Sequence, residues 1–128
     1  MPHKIKILII DDDQDLLNLL KTKLRRSNIE CITATLPGEG LQKANDYVPD
    51  LVLLDLNLPK MSGFGFLREF KHRSQLSKIP VVVLTSIVDE EISEEALNLG
   101  ACSYLTKACT EKELLAVIDQ YTSHSSVH

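Results

Sequence analysis

Five short apolar segments rich in β-branched residues, each followed by a stretch of helical periodicity, constrain this chain before any single residue is considered. Ile5 to Ile10, Ile29 to Ala34, Leu51 to Asp55, Pro80 to Thr85 and Ala101 to Leu105 read as strands. Leu16, Leu17, Leu20 and Leu24 keep one helix face apolar, and Leu114, Leu115, Ile118 and Tyr121 do the same near the C-terminus. Weaker helical patterns occupy Glu39 to Tyr47, Gly63 to Lys71 and Glu90 to Leu99. The chain therefore alternates strand and helix five times.

The first, third and fourth strands are continuous apolar runs rather than alternating ones, as parallel strands covered by helices on both faces require. With one helix per crossover and right-handed connections, the expected fold is an α/β, doubly wound (βα)5 arrangement of flavodoxin type. Its five-stranded parallel sheet has the order 2-1-3-4-5, with helices on both faces. The 128 residues fit one domain and are far too few for a (βα)8 barrel. The domain is expected over residues 1–121, with a frayed tail, Thr122 to His128.

The longest apolar runs fall far short of the roughly 20 residues that cross a bilayer, so no membrane span is expected. Met1-Pro-His-Lys leads directly into a strand pattern, which does not resemble a secretory leader, and a cytoplasmic location is expected. The three cysteines, Cys31, Cys102 and Cys109, lack CxxC spacing and suggest neither a disulfide framework nor a zinc site. Net charge is −4, and basic residues are scattered apart from Lys21 to Arg26, which disfavours direct nucleic-acid binding.

In open α/β sheets the ligand site lies beyond the carboxyl ends of the strands, near the point where strand order reverses. Strand one ends in Asp11 and Asp12, strand three in Asp55 and strand four in Thr85, followed by Ser86; Lys107 lies two residues past strand five. The order 2-1-3-4-5 makes these four strands contiguous and leaves the uncharged end of strand two at the edge. Three carboxylates gathered there repel one another and demand a counter-cation. A hard divalent ion such as Mg2+ answers that, because it takes oxygen ligands, commonly carboxylates together with a phosphate oxygen. An aspartate carboxylate is a competent nucleophile toward phosphorus, and Lys107 and the Thr85 hydroxyl could hold the phosphoryl oxygens during transfer. Asp13 fits a helix cap better than a ligand and is left out of the site.

These residues resemble those of response-regulator receiver domains, the superfamily of CheY-like two-component signalling proteins. The resemblance runs from Lys4 to about Tyr121. It rests on Ile-Leu-Ile-Ile-Asp-Asp-Asp in strand one, the run from Pro49 to Gly63, Pro-Val-Val-Val-Leu-Thr-Ser from Pro80, and Gly-Ala-Cys-Ser-Tyr-Leu-Thr-Lys from Gly100. It implies that Asp55 is the phosphoacceptor, Asp12 a direct Mg2+ ligand, Asp11 a ligand mainly through water, and Asn57 a ligand through its backbone carbonyl. Thr85 and Lys107 would hold the phosphoryl group. Tyr104 would be the aromatic switch that couples the site to the face of helix four, strand five and helix five. A half-buried strand aromatic is the plainer reading of Tyr104.

The same resemblance implies a sensor histidine kinase or histidine phosphotransfer protein as phosphoryl donor, and a downstream protein target that the sequence does not identify. It also allows a phosphorylation-dependent dimer. The chain departs from the family's pattern at Ala108, where proline in a cis peptide usually follows the lysine. A trans bond is expected here, with Lys107 still reaching the site. Cys102 and Cys109 lie near this loop and hint at redox tuning, although an incidental thiol is the plainer reading. Two other functions stay open. A pseudo-receiver would bind a partner without phosphorylation. A small haloacid-dehalogenase-like phosphatase would also use an aspartate nucleophile, but it calls for a second aspartate where Asn57 stands.

Overall fold

The computed structural model describes residues 4–57, 63–86 and 89–122. Strands β1 (Ile5–Ile10), β2 (Ile29–Ala34), β3 (Leu51–Leu54), β4 (Val81–Thr85) and β5 (Ser103–Thr106) alternate with helices α1 (Gln14–Arg25), α2 (Pro37–Tyr47), α3 (Gly63–His72), α4 (Glu90–Asn98) and α5 (Glu111–Thr122). The strands form one sheet in the order β2-β1-β3-β4-β5, and every neighbouring pair is parallel. This is the doubly wound, flavodoxin-like arrangement that the strand pattern leads to.

The continuous apolar strands are explained by where their alternate residues go. Leu8 and Ile10 of β1, Val52 and Leu54 of β3, and Val81 and Val83 of β4 face one core, closed by Ala44 of α2, Phe66, Leu67 and Phe70 of α3, and Ala96 of α4. Ile7, Ile9, Leu51, Leu53, Val82 and Leu84 face the other, closed by Leu17, Leu20 and Leu24 of α1 and Leu114 and Ile118 of α5. A period of two sends successive side chains to opposite faces, so a strand covered on both sides is apolar throughout.

Element boundaries differ from the sequence reading in places, each with a local cause. The second helix begins at Pro37 rather than Glu39, because proline fixes its own φ at the first helical position and loses no needed donor there. Its entry is held by the Glu39 carboxylate, which accepts from Thr35 N–H at 2.9 Å. The fifth strand runs from Ser103 to Thr106, two residues later at its start than expected. Gly100, at φ +114°, closes α4, and Ala101 N–H donates to Ala96 O at 3.0 Å, so the expected first strand residue is spent finishing the helix. The last helix includes Thr122, whose hydroxyl donates to Ile118 O at 2.7 Å, one residue beyond the expected domain edge. The remaining tail, 123–128, lies outside the described residues.

Among the described residues no helix is long and apolar enough to cross a membrane. Cys31, Cys102 and Cys109 are free and half-buried. Burial raises the thiol pKa of all three, that of Cys31 to about 11, which keeps them protonated and poorly nucleophilic at neutral pH.

Candidate functional site

The sheet ladder continues one residue past β1 and β3, and this seats the two buried aspartates side by side. Asp11 N–H donates to Ala34 O at 3.1 Å, and Asp55 N–H donates to Ile10 O at 2.9 Å. Both carboxylates are almost fully buried, at 1% and 4% exposure, which the hydrogen bonds of one oxygen in each make tolerable. Asp11 Oδ1 accepts from Asp13 N–H at 2.9 Å, and Asp55 Oδ1 accepts from Asn57 N–H at 3.1 Å. Each is a turn in which a carboxylate holds the backbone two residues on. The second oxygens share one partner: Lys107 Nζ is 2.8 Å from Asp11 Oδ2 and 3.4 Å from Asp55 Oδ2.

Asp12 is exposed and completes a cluster in which one carboxylate oxygen each from Asp11, Asp12 and Asp55 lies within 4.8 Å of the others. Asp13 accepts from Asp15 and Leu16 N–H groups and caps α1, as its exclusion from the site requires. Lys107 is brought in from β5 by its own N–H, which donates to Thr85 O at 2.8 Å. No cis peptide occurs among the described residues, so the Lys107–Ala108 bond is trans and Lys107 nevertheless enters the cluster. Thr85 is half-buried at the end of β4 and pairs in register with Thr106. Asn57 is exposed. Tyr104, opposite Val83 in the sheet, is half-buried and packs against the core that contains Val83, Ala96 and Ala101. The segments 58–62 and 87–88, which include part of the motif between Pro49 and Gly63, lie outside the described residues.

Electrostatically the cluster has more negative charge than its lysine compensates. Burial is the largest influence on Asp11 and raises its carboxyl pKa; Asp55 adds to the rise, while Lys107 and the Asp13 amide oppose it. Burial alone would lower the Lys107 pKa, but hydrogen bonding and attraction from Asp11 and Asp55 hold it above the usual lysine value. Asp11 Oδ2, buried with its carboxylate, has the Lys107 ammonium as its charge partner among the described residues. An all-oxygen cluster with three carboxylates against one ammonium can coordinate a hard metal ion.

Two features escaped the sequence reading. A Cβ on Gly63 would run into Leu56 Cα and come within 2.8 Å of Asp55 O, so the backbone of α3 presses directly on the residue carrying the central carboxylate. Gly63 N–H donates to Leu56 O at 2.8 Å and fixes that approach. A glycine at the first position of a helix was the available signal. The other feature is the reciprocal cap of α5 by Thr110 and Glu113, legible as Thr-x-x-Glu ahead of an apolar run.

The profile of the response regulator receiver domain family matches residues 7–119. The chain belongs to that family. Over 122 residues the receiver is 34% identical to the alkaline phosphatase synthesis transcriptional regulatory protein PhoP of Bacillus subtilis, covering 95% of this chain and 50% of PhoP. It superposes on chemotaxis protein CheY4 of Vibrio cholerae with a TM-score of 0.87 at 28% identity, covering 93% of this chain and 99% of that one. It also matches the BeF3-activated N-terminal receiver domain of RstA from Klebsiella pneumoniae, with a TM-score of 0.85 at 26% identity and coverage of 91% and 97%. The chain spans about half the length, or less, of the first curated relatives it matches.

Proposed function

We propose that this receiver is a phosphoacceptor switch that takes a phosphoryl group from a phosphohistidine donor onto Asp55. The observation that carries the reading is the convergence of Asp11, Asp12 and Asp55 with Lys107 at adjacent strand ends. Asp55 is buried at the centre, with one oxygen held by Asn57 N–H and the other facing Lys107. That arrangement orients a nucleophilic carboxylate rather than a solvated surface acid. Its oxygen attacks phosphorus in line, the bond from phosphorus to the donor nitrogen breaks, and an aspartyl phosphate results. Lys107, released from its ion pairs, and the Thr85 hydroxyl hold the phosphoryl oxygens. Later attack by water returns the carboxylate and inorganic phosphate, so the chain turns over its own modification rather than an external metabolite.

Asp11, Asp12, Asp55 and the backbone carbonyl of Asn57 would hold Mg2+, which when bound neutralises the charge that carboxylates and phosphoryl oxygens would otherwise bring together. Output follows from Thr85 drawing toward the phosphoryl group. Tyr104, half-buried against the core that contains Ala96 and Ala101, would follow it and change the surface formed by α4, β5 and α5. A sensor histidine kinase or histidine phosphotransfer protein is the partner upstream, and a protein recognising the changed surface is the partner downstream.

The test is intact-mass analysis after incubation with acetyl phosphate, with and without Mg2+. We expect a metal-dependent gain of about 80 Da, one phosphoryl group, in the wild type and none in Asp55→Asn. An unmodified wild type under all conditions would overturn the reading in favour of a partner-binding pseudo-receiver.

A further inference from the structure

Strand β2 lies at the edge of the sheet, so its outward backbone groups have no strand beside them among the described residues. At the carboxyl end of β2, two side chains four residues apart on α2 take the place of that strand. Lys43 Nζ donates to Thr33 O at 2.7 Å, and Glu39 Oε1 accepts from Thr35 N–H at 2.9 Å. Between these two residues stands Ala34, 2% exposed, whose carbonyl points inward and accepts the Asp11 N–H at 3.1 Å. Backbone groups of successive strand residues point to alternate sides, so residues 33 and 35 are held from outside while residue 34 holds Asp11. Glu39 Oε2 and Lys43 Nζ are 3.2 Å apart, which joins the two holds into one unit. The same turn of α2 presses on β1 directly. A Cβ on Gly40 would come within 2.7 Å of Ile10 Cδ1, and Ile10 is the residue before Asp11.

We infer that Glu39 and Lys43 are positioning residues for Asp11: they clamp the end of β2 from outside, so that Ala34 O fixes the Asp11 backbone and with it the buried carboxylate of the acidic cluster. The inference rests on the reading of the site proposed above. An i,i+4 ion pair between partly exposed side chains contributes little by itself in water, and it needs no strand. Here each member also spends a hydrogen bond on strand backbone. The Thr35 amide, ahead of Lys43, holds the Glu39 carboxyl pKa below its ordinary value, so the stronger hold on this carboxylate is the strand and not the helix partner. Placement of Asp11 matters because Mg2+ demands near-octahedral oxygen geometry. Asp11 Oδ1 is committed to the Asp13 amide, so the direction of Oδ2 follows from where the backbone sits. An edge strand end opens locally when its outward groups lose their partners, and the inward bond to Asp11 opens with it.

The test is amide hydrogen exchange by NMR, followed by titration with Mg2+ alone. It compares the wild type, Lys43→Met, Glu39→Ala and, as control, Arg73→Met, which breaks the equally spaced pair with Glu69 at the end of α3. We expect Lys43→Met and Glu39→Ala to speed exchange of the Asp11 amide about tenfold, while the Leu53 amide in the central strand keeps its wild-type rate. Mg2+ affinity should fall about fivefold, less than the loss of a group bonded directly to a metal ligand costs. Arg73→Met should change neither reading. An unchanged Asp11 amide overturns the inference. Acceleration shared equally by Leu53 overturns it too, because the pair would then support the fold in general. So does faster exchange at Asp11 with unaltered Mg2+ binding. Should one variant fail to fold, the other decides by the same readings. Absence of Mg2+ binding by the wild type overturns the metal reading of the site, and the positioning of Asp11 then stands or falls on the exchange of its amide. A failure of phosphorylation alone is distinguished, since no phosphoryl donor enters the titration.

Discussion

Behind the acidic cluster, at the scale of single residues, the chain passes so close to itself that one position tolerates no side chain. A Cβ on Gly63 would meet backbone atoms of Leu56 and Asp55 rather than the end of a flexible side chain, so relief requires the strand end to move. Gly63→Ala is therefore expected to cost about 1–3 kcal/mol in urea unfolding, as overpacking does, and to slow phosphorylation of Asp55 because the displaced backbone carries that residue. Unchanged stability would show that α3 does not set the position of Asp55. That Asp11, Asp12, Asp55 and Lys107 gather at one end of the sheet was legible in the sequence, because a strand pattern fixes which residues stand at its ends. That the lysine pairs with both buried carboxylates at once was not, since it depends on side-chain distances. Nor could residue types alone say whether the lysine would enter the site with Ala108 after it; the trans peptide and the ion pair to Asp11 answer that.

Among the elements, α5 starts immediately after the loop that delivers Lys107, and its start is held by a reciprocal cap. Thr110 N–H donates to Glu113 Oε1 at 2.9 Å, and Glu113 N–H donates to Thr110 Oγ1 at 3.1 Å. Thr110→Ala is expected to lower stability by about 1 kcal/mol. The cap also makes a pH prediction. The Thr110 amide, and after it the Thr110 hydroxyl, hold the Glu113 carboxyl pKa below its ordinary value of 4.5. A carboxyl depressed in the folded state stabilises above its unfolded pKa, and that contribution is lost as pH falls through the folded value. The melting temperature deficit of Glu113→Ala should thus be full at neutral pH and shrink as the pH falls below the ordinary value of 4.5. A deficit independent of pH would mean that Glu113 acts through packing. Strand and helix periodicity made β1 and β2 legible to the residue, because their apolar runs are bounded by charged or turn residues on both sides. The start of β5 was misread, because Ala101 continues the apolar run in sequence while its N–H belongs to the end of α4. The start of α2 was obscured by Pro37, Gly38 and Gly40, poor helix formers as a group, one of which nonetheless suits the first turn.

For the whole molecule, the strand order does the assembling. With β2 at the edge and β1, β3, β4 and β5 contiguous, the polar strand ends meet on one rim while the two cores on either side of the sheet stay apolar. This follows from the parallel topology, which puts every strand's carboxyl end on the same side, and it is why a sequence-level reading of strand ends amounts to a reading of the site. The same rigidity suits a switch: a buried cluster fixed by sheet hydrogen bonds can change charge sharply, and the helices around it register the change as altered packing. Asp55, and no neighbouring carboxylate, is expected to become the acyl phosphate. Reductive trapping tests it most directly. Borohydride treatment of the chain after incubation with acetyl phosphate and Mg2+ converts an aspartyl phosphate to homoserine, and peptide sequencing locates it. Homoserine is expected at position 55 alone, dependent on both donor and Mg2+; homoserine at Asp11 or Asp12, or at no position, would rule out Asp55 as the acceptor.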